Sequence, residues 1–170
     1  QEYTRNPGLA MIHPEAAWTA GATGSGELVA VIDSGVDTTS PDLVGVVSSA
    51  STDVVASRAS PAIADRHATE IATVIAANFN SVGTVGVAYN ASILSIRTDS
   101  PGTCTPTTGC QYNTNDLATG VDYVLVNGGV AVDGGKATGS TTGRAVRGRA
   151  WSGWPEGGCR ADAKAWTWSR

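Results

Sequence analysis

The feature that most constrains this chain is residues 27–37, an apolar run that ends in an aspartate. Five consecutive apolar residues, three of them β-branched, begin at Leu28, which is typical of a strand buried on both faces of a parallel sheet. Asp33 follows directly. A carboxylate at the end of a buried strand is costly unless another group binds it, and sites in α/β proteins form where strands end. Asp33 is therefore a candidate site residue. The alternative is a simple turn, because the Asp-Ser-Gly sequence is rich in turn formers.

A second candidate lies at the start of a predicted helix over residues 65–78. Apolar residues recur there at the spacing of a helix with one buried face, and Asp65 is a suitable N-cap. His67 then lies in the first turn, where the helix dipole disfavours a protonated imidazole and so favours a base. A histidine at a helix end is more often structural, and that interpretation stays open.

The remaining pattern predicts an α/β fold. A second strand is expected over residues 91–97, and a second helix over 113–127 with Leu117, Ala118 and Val121 on its buried face. A third strand is expected to open at residues 130–132. Strands that alternate with helices in this way are typical of a parallel sheet with right-handed crossovers.

Two segments resemble the motifs of the subtilase family of serine peptidases. Residues 30–36 (AVIDSGV) closely match the aspartate motif, and residues 66–72 (RHATEIA) resemble the histidine motif. The second motif departs from the family at Ala68, usually Gly, and at Thr73, usually Gly or Ser. Shorter stretches, at residues 6–12 and 99–104, resemble the subtilase passenger domains of bacterial autotransporters.

The resemblance covers about residues 1–130 and implies a parallel-sheet, subtilisin-like three-layer fold, incomplete in this chain. It implies a secreted or cell-surface bacterial serine endopeptidase that acts on protein or peptide substrates. Asp33 would orient the imidazole of His67, which would take a proton from a serine hydroxyl. No nucleophile is identified, because Ser140 comes too early for the family's serine. We therefore expect a chain truncated before its nucleophile and inactive by itself.

The resemblance implies no required cofactor. Calcium is expected on family grounds only, since no Asp/Asn cluster has the spacing of a site, and no metal-ligating residue is assigned. Cys104 and Cys110 bracket a short loop, which suits a local disulfide in an oxidising compartment. A zinc site is a weaker interpretation, because no second Cys/His pair stands nearby. Cys159 has no assigned role.

The composition divides the chain into residues 1–132, the peptidase-like part, and a tail over residues 133–170. The first part holds four basic and twelve acidic residues, whereas the tail holds seven and three, a net charge of +4. The tail contains eight Gly, four Trp and five Arg, but only one aliphatic residue larger than Ala, Val146. Such a segment cannot supply buried strands, so we interpret it as unstructured or as translated out of frame.

Parts of the sequence are compatible with three functions other than a serine peptidase. A basic tail could bind nucleic acid, but its charge is modest and no nucleic-acid fold accompanies it, so no such partner is expected. An aspartic peptidase needs two facing carboxylate motifs, whereas one copy occurs here. A non-catalytic peptide-binding pseudo-peptidase is favoured by Ala68 and the missing nucleophile. No apolar run approaches the roughly 18 residues of a membrane span.

Overall fold

A computed structural model describes residues 2–58, 62–63 and 65–127, with backbone alone from residue 125. Beyond these it describes the backbone of two short strands, at residues 132–133 and 136–137. Otherwise the predicted tail, including Ser140 and Cys159, lies outside the described residues, so its division from residues 1–132 stays a prediction.

The described elements are five helices, one 3-10 turn and five short strands. The helices are α1 (Glu2–Arg5), α2 (Pro7–Ile12), α3 (Glu15–Thr19), α4 (His67–Ala76) and α5 (Thr114–Asn127), with a 3-10 turn at Pro41–Leu43. The strands are β1 (Leu28–Asp33), β2 (Thr52–Asp53), β3 (Ser92–Arg97), β4 (Val132–Asp133) and β5 (Lys136–Ala137).

Strand β3 lies at the centre of a three-stranded parallel sheet, in the order β1-β3-β2. It pairs along its whole length with β1, from Leu28 opposite Ser92 to Asp33 opposite Arg97. This register places the carboxyl ends of β1 and β3 at one edge of the sheet, where side chains from both can form a site. The predicted parallel α/β fold is confirmed.

The third strand of this sheet differs from the prediction. It is β2, a strand that the sequence pattern did not predict, and it pairs with the end of β3. In contrast, β4 begins at Val132 and pairs antiparallel with β5 in a separate ribbon. A two-residue strand is too short to show the period-2 pattern from which strands are predicted, so only its pairing partner identifies it.

Helices cover both faces of the sheet and form the three-layer arrangement. On one face α4 presents the fully buried Ala68, Ala72 and Ala76 to a core that includes Val31 and Ile93. Small side chains allow the helix backbone to approach the strands closely. This packing is what fixes the first residue of α4 beside the end of β1.

On the opposite face α5 approaches the sheet through Gly120. A Cβ atom there would lie 3.0–3.2 Å from methyl groups of Thr98, Ile32 and Ile96. The predicted burial of Ala118 and Val121 is wrong, since both are exposed. Hydrophobic periodicity cannot detect a contact made by a glycine, because the absence of a side chain is what permits it.

Candidate active site

The end of β1 and the start of α4 meet at one hydrogen bond. Nδ1 of His67 lies 2.8 Å from Oδ2 of Asp33, a residue 34 positions earlier. A carboxylate only accepts, so the ring nitrogen is assigned as the donor. The structure thus brings together the two residues that the sequence analysis singled out separately.

The first turn of α4 is held by polar contacts on both sides of His67. The backbone N–H of His67 donates to Oδ1 of Asp65 at 2.6 Å. Arg66 rather than Asp65 occupies the N-cap position, so the helix begins later than predicted, although the Asp65 carboxylate still binds a first-turn amide. The backbone N–H of Asp37 donates to Oγ1 of Thr69 at 2.9 Å, which ties the loop after β1 to the same turn.

Asp33 accepts hydrogen bonds on both carboxylate oxygens. Its Oδ1 accepts the backbone N–H of Ser34 at 2.6 Å and the hydroxyl of Tyr112 at 2.7 Å, while Oδ2 faces His67. Partial burial acts to raise the pKa of Asp33, but the hydrogen bonds from Tyr112, Ser34 and His67 outweigh it and hold that pKa below its usual range. The carboxylate is therefore ionised at neutral pH.

Tyr112 is a site residue that the sequence analysis missed. It lies two positions after Cys110 and belongs to the segment that leads from β3 into α5. Burial, followed by the hydrogen bond to Asp33 and the charge of that carboxylate, raises the pKa of Tyr112. The available signal was topological, because a segment leaving the strand next to β1 must pass the same edge of the sheet.

The two residues differ in exposure in the way that base catalysis requires. The side chain of His67 is 62% exposed and that of Asp33 only 14%. With Nδ1–H held by the carboxylate, Nε2 carries the lone pair and remains accessible as a proton acceptor. An open groove of about 1100 Å³ runs beside His67, between α4 and the loop at residues 104–109.

The departure from the histidine motif at Ala68 leaves this geometry intact. Its side chain is fully buried in the core beneath α4, and the Asp33–His67 contact is still 2.8 Å. Within the described residues, however, no serine hydroxyl is hydrogen-bonded to His67. The described site is thus a partly buried carboxylate hydrogen-bonded to a partly exposed imidazole.

Cys104 and Cys110 are joined in the structure, with their Sγ atoms 2.10 Å apart. Together with Asp99 they form the one cluster of three His, Cys, Asp or Glu side chains whose ligand atoms lie within 4.8 Å of one another in the described part of the chain. Disulfide sulfurs are not thiolates, so this group does not suit a metal ion. The bond instead closes the loop that precedes Tyr112.

This fold, with an aspartate closing β1 and a histidine opening α4, defines a chain of the subtilisin type. The chain belongs to the Subtilase family, whose sequence profile matches residues 24–125.

Two curated relatives are similar in sequence to part of this chain. It is 42% identical over 97 residues to subtilisin E of Bacillus subtilis (strain 168), covering 56% of this chain and 25% of that protein. It is 31% identical over 152 residues to the thermophilic serine proteinase of Bacillus sp. (strain AK1), covering 76% of this chain and 38% of that protein. The chain therefore spans well under half of either relative.

A solved structure supports the fold assignment. Fervidolysin from Fervidobacterium pennivorans, a keratinolytic enzyme related to subtilisin, superposes with a TM-score of 0.51 at 30% sequence identity, covering 65% of this chain and 17% of that one. No helix among the described residues has the length and apolar character needed to cross a membrane.

Proposed function

We propose that this chain supplies the aspartate and the histidine of the Asp-His-Ser triad of a secreted serine endopeptidase. The observation that carries the proposal is the 2.8 Å contact between Asp33 and His67 at the carboxyl edge of a subtilisin-type sheet. Family membership supports the reaction class. The disulfide at Cys104 supports a secreted or cell-surface location, because such bonds persist in oxidising compartments.

In this mechanism the two residues divide the work of proton transfer. Asp33 holds the Nδ1–H tautomer of His67 and stabilises the imidazolium that forms when Nε2 takes a proton from the attacking serine hydroxyl. His67 then delivers that proton to the leaving amine of the substrate. The open groove beside His67 gives a protein or peptide substrate access to Nε2.

The serine is not among the residues that contact His67 in the described structure. We include in the proposal that this chain is the N-terminal part of a catalytic domain and inactive by itself, and the stretches at residues 6–12 and 99–104 support a similarity to autotransporter subtilases. Removal of the nucleophile from such a triad costs about six orders of magnitude in turnover.

Calcium binding is a further part of the proposal, and the carboxylate of Asp42 offers one ligand oxygen for it. Its Oδ1 is buried and has no hydrogen-bond partner among the described residues, while its Oδ2 accepts the backbone N–H of Thr84 at 3.2 Å. Calcium prefers carboxylate and carbonyl oxygens. A chelator should lower the melting temperature of the chain, and Asp42→Asn should remove that difference. Equal melting temperatures for the chain with and without the chelator would contradict a calcium site.

A chimera tests the catalytic assignment. Residues 24–125 would replace the matching segment of subtilisin E, which supplies the serine. We expect the chimera to hydrolyse a peptide substrate, and Asp33→Asn to reduce turnover by roughly 10⁴-fold because it disturbs the histidine tautomer. His67→Ala should cost at least as much.

Asp122→Asn, a change at an exposed position of α5, is the matched control and should leave turnover unchanged. A folded chimera whose hydrolysis survives both site substitutions would refute the assignment.

The second candidate is a peptide-binding pseudo-peptidase, which is favoured because no serine hydroxyl is hydrogen-bonded to His67 among the described residues. A fluorophosphonate that labels activated serines distinguishes the two in the subtilisin E chimera, with the unmodified chain as the unlabelled reference. We expect no labelling of the chain and labelling of the chimera. A chimera that binds peptide but is neither labelled nor active would favour the pseudo-peptidase.

A further inference from the structure

We propose that Tyr112 is a positioning residue, which fixes the carboxylate of Asp33 in the orientation that His67 requires. This inference rests on the proposed function of Asp33 and His67. Residues from two separate parts of the chain each contact one oxygen of the Asp33 carboxylate. The Tyr112 hydroxyl donates to Oδ1 at 2.7 Å, and Nδ1 of His67 lies 2.8 Å from Oδ2.

The two contacts oppose rotation of the carboxylate. The bond from Cβ to the carboxyl carbon of an aspartate is a soft torsion, so one hydrogen bond at Oδ2 would leave the plane of the group free to turn. The backbone N–H of Ser34 also binds Oδ1, but it belongs to the same strand end. Tyr112 adds an anchor from a separate element, 79 positions away.

Tyr112 is itself held in place by its own segment. Residue 112 forms an antiparallel bridge with Asp99, and the backbone N–H of Ser100 donates to the carbonyl of Gln111 at 2.8 Å. The N–H of Gln111 donates to Oγ1 of Thr103 at 3.1 Å. The Cys104–Cys110 disulfide closes the loop between the two bridged segments. The contacts within this segment therefore hold the Tyr112 hydroxyl in place beside Asp33.

The charges around the hydroxyl are balanced. Asp99, whose charge bears on Tyr112, is 1% exposed and paired with Arg58 and Arg97 at 3.0 and 2.8 Å. From α4 the titratable group that faces Asp33 is His67, and from the segment before α5 it is Tyr112. Loss of the Tyr112 hydroxyl thus removes a donor to Asp33 and leaves the ion pairs in place.

Tyr112→Phe in the full chain tests the proposal, because it keeps the ring and deletes only the donor. Tyr123→Phe is the matched control: it deletes a hydroxyl that donates to the backbone carbonyl of Ala50 at 2.7 Å. Carbon-13 NMR of the aspartate carboxyl groups follows the titration midpoint of Asp33, with Asp33→Asn used to assign its signal. Nitrogen-15 NMR of the imidazole ring follows the tautomer of His67.

We expect Tyr112→Phe to shift the midpoint of Asp33 upward and to lower the population of the Nδ1–H tautomer of His67, with neither change in Tyr123→Phe. If Tyr112 had only a structural role, Tyr112→Phe and Tyr123→Phe would change the Asp33 midpoint and the His67 tautomer population alike, or neither variant would change them. Unchanged Asp33 and His67 signals in a folded Tyr112→Phe chain would overturn the proposal. Neither readout requires turnover, so the result is independent of whether the subtilisin E chimera hydrolyses peptides.

Discussion

The guanidinium of Arg58 binds both carboxylate oxygens of Asp99, at 3.0 and 3.1 Å, across 41 positions of the chain. The two side chains are 6% and 1% exposed. The pair joins the loop after β2 to Asp99, two positions beyond the end of β3, and Asp99 also accepts a hydrogen bond from Arg97. The buried carboxylate of Asp99, which two guanidiniums share, thus stabilises the segments next to the candidate site.

Asp99→Asn should destabilise the chain by about 3–5 kcal/mol, because it removes the carboxylate that two buried guanidiniums share and leaves Arg58 with the partly exposed Asp53 as its ion-pair partner. Urea denaturation followed by circular dichroism would measure the loss. Asp122→Asn, at an exposed position of α5, is the matched control and should stay within about 0.5 kcal/mol. Similar stabilities for the two variants would show that the Asp99 network contributes little.

Gly120→Ala should destabilise the chain by about 1 kcal/mol. The new methyl group would meet three side-chain methyl groups at 3.0–3.2 Å, an overpacking that costs about 1–3 kcal/mol, whereas the better helix propensity of alanine returns about 1 kcal/mol. The test is whether Gly120→Ala lowers or raises the free energy of unfolding. Thr119→Ala, at an exposed neighbouring position, should be neutral or slightly stabilising. A stabilising Gly120→Ala would place α5 farther from the sheet than the structure does.

The stability of the chain should fall in acid partly through Asp33. The pKa of this carboxyl is lowered in the folded state, so its contribution is fully present above the unfolded value of about 3.9 and is lost as the pH falls through the lower folded value. Urea midpoints measured across this range should therefore decrease less steeply in Asp33→Asn than in the parent chain. Parallel curves would mean that Asp33 has the same pKa folded and unfolded.

Removal of the disulfide should loosen the contact between Tyr112 and Asp33. In the double variant Cys104→Ser/Cys110→Ser, we expect the raised pKa of Tyr112 to move down toward the ordinary tyrosine value of about 10, because its burial and its hydrogen bond to Asp33 are both weakened. Carbon-13 NMR of labelled tyrosine rings would follow the titration, and Tyr112→Phe would assign the signal. An unchanged midpoint would show that the backbone bridge to Asp99 suffices.

The sequence alone was enough to predict those parts of the site that depend on local patterns. An apolar run closed by Asp33 specifies a buried strand with a carboxylate at its end, and the helical spacing after His67 specifies its position in a first turn. Both patterns depend on neighbours within a few residues, so they can be read without knowing the fold. The Subtilase family assignment followed from the same two segments.

Tertiary structure alone decided what depends on distant partners. Strand β2 exists through its pairing with β3, the burial of α5 centres on a glycine with no side chain, and Tyr112 reaches Asp33 because β1 and β3 are neighbours. No local period records such contacts, since each is made between residues far apart in the chain. The sequence determined that Asp33 stands at the end of β1 and that His67 stands in the first turn of α4. The packing of α4 against the sheet brought Nδ1 of His67 to 2.8 Å from Oδ2 of Asp33.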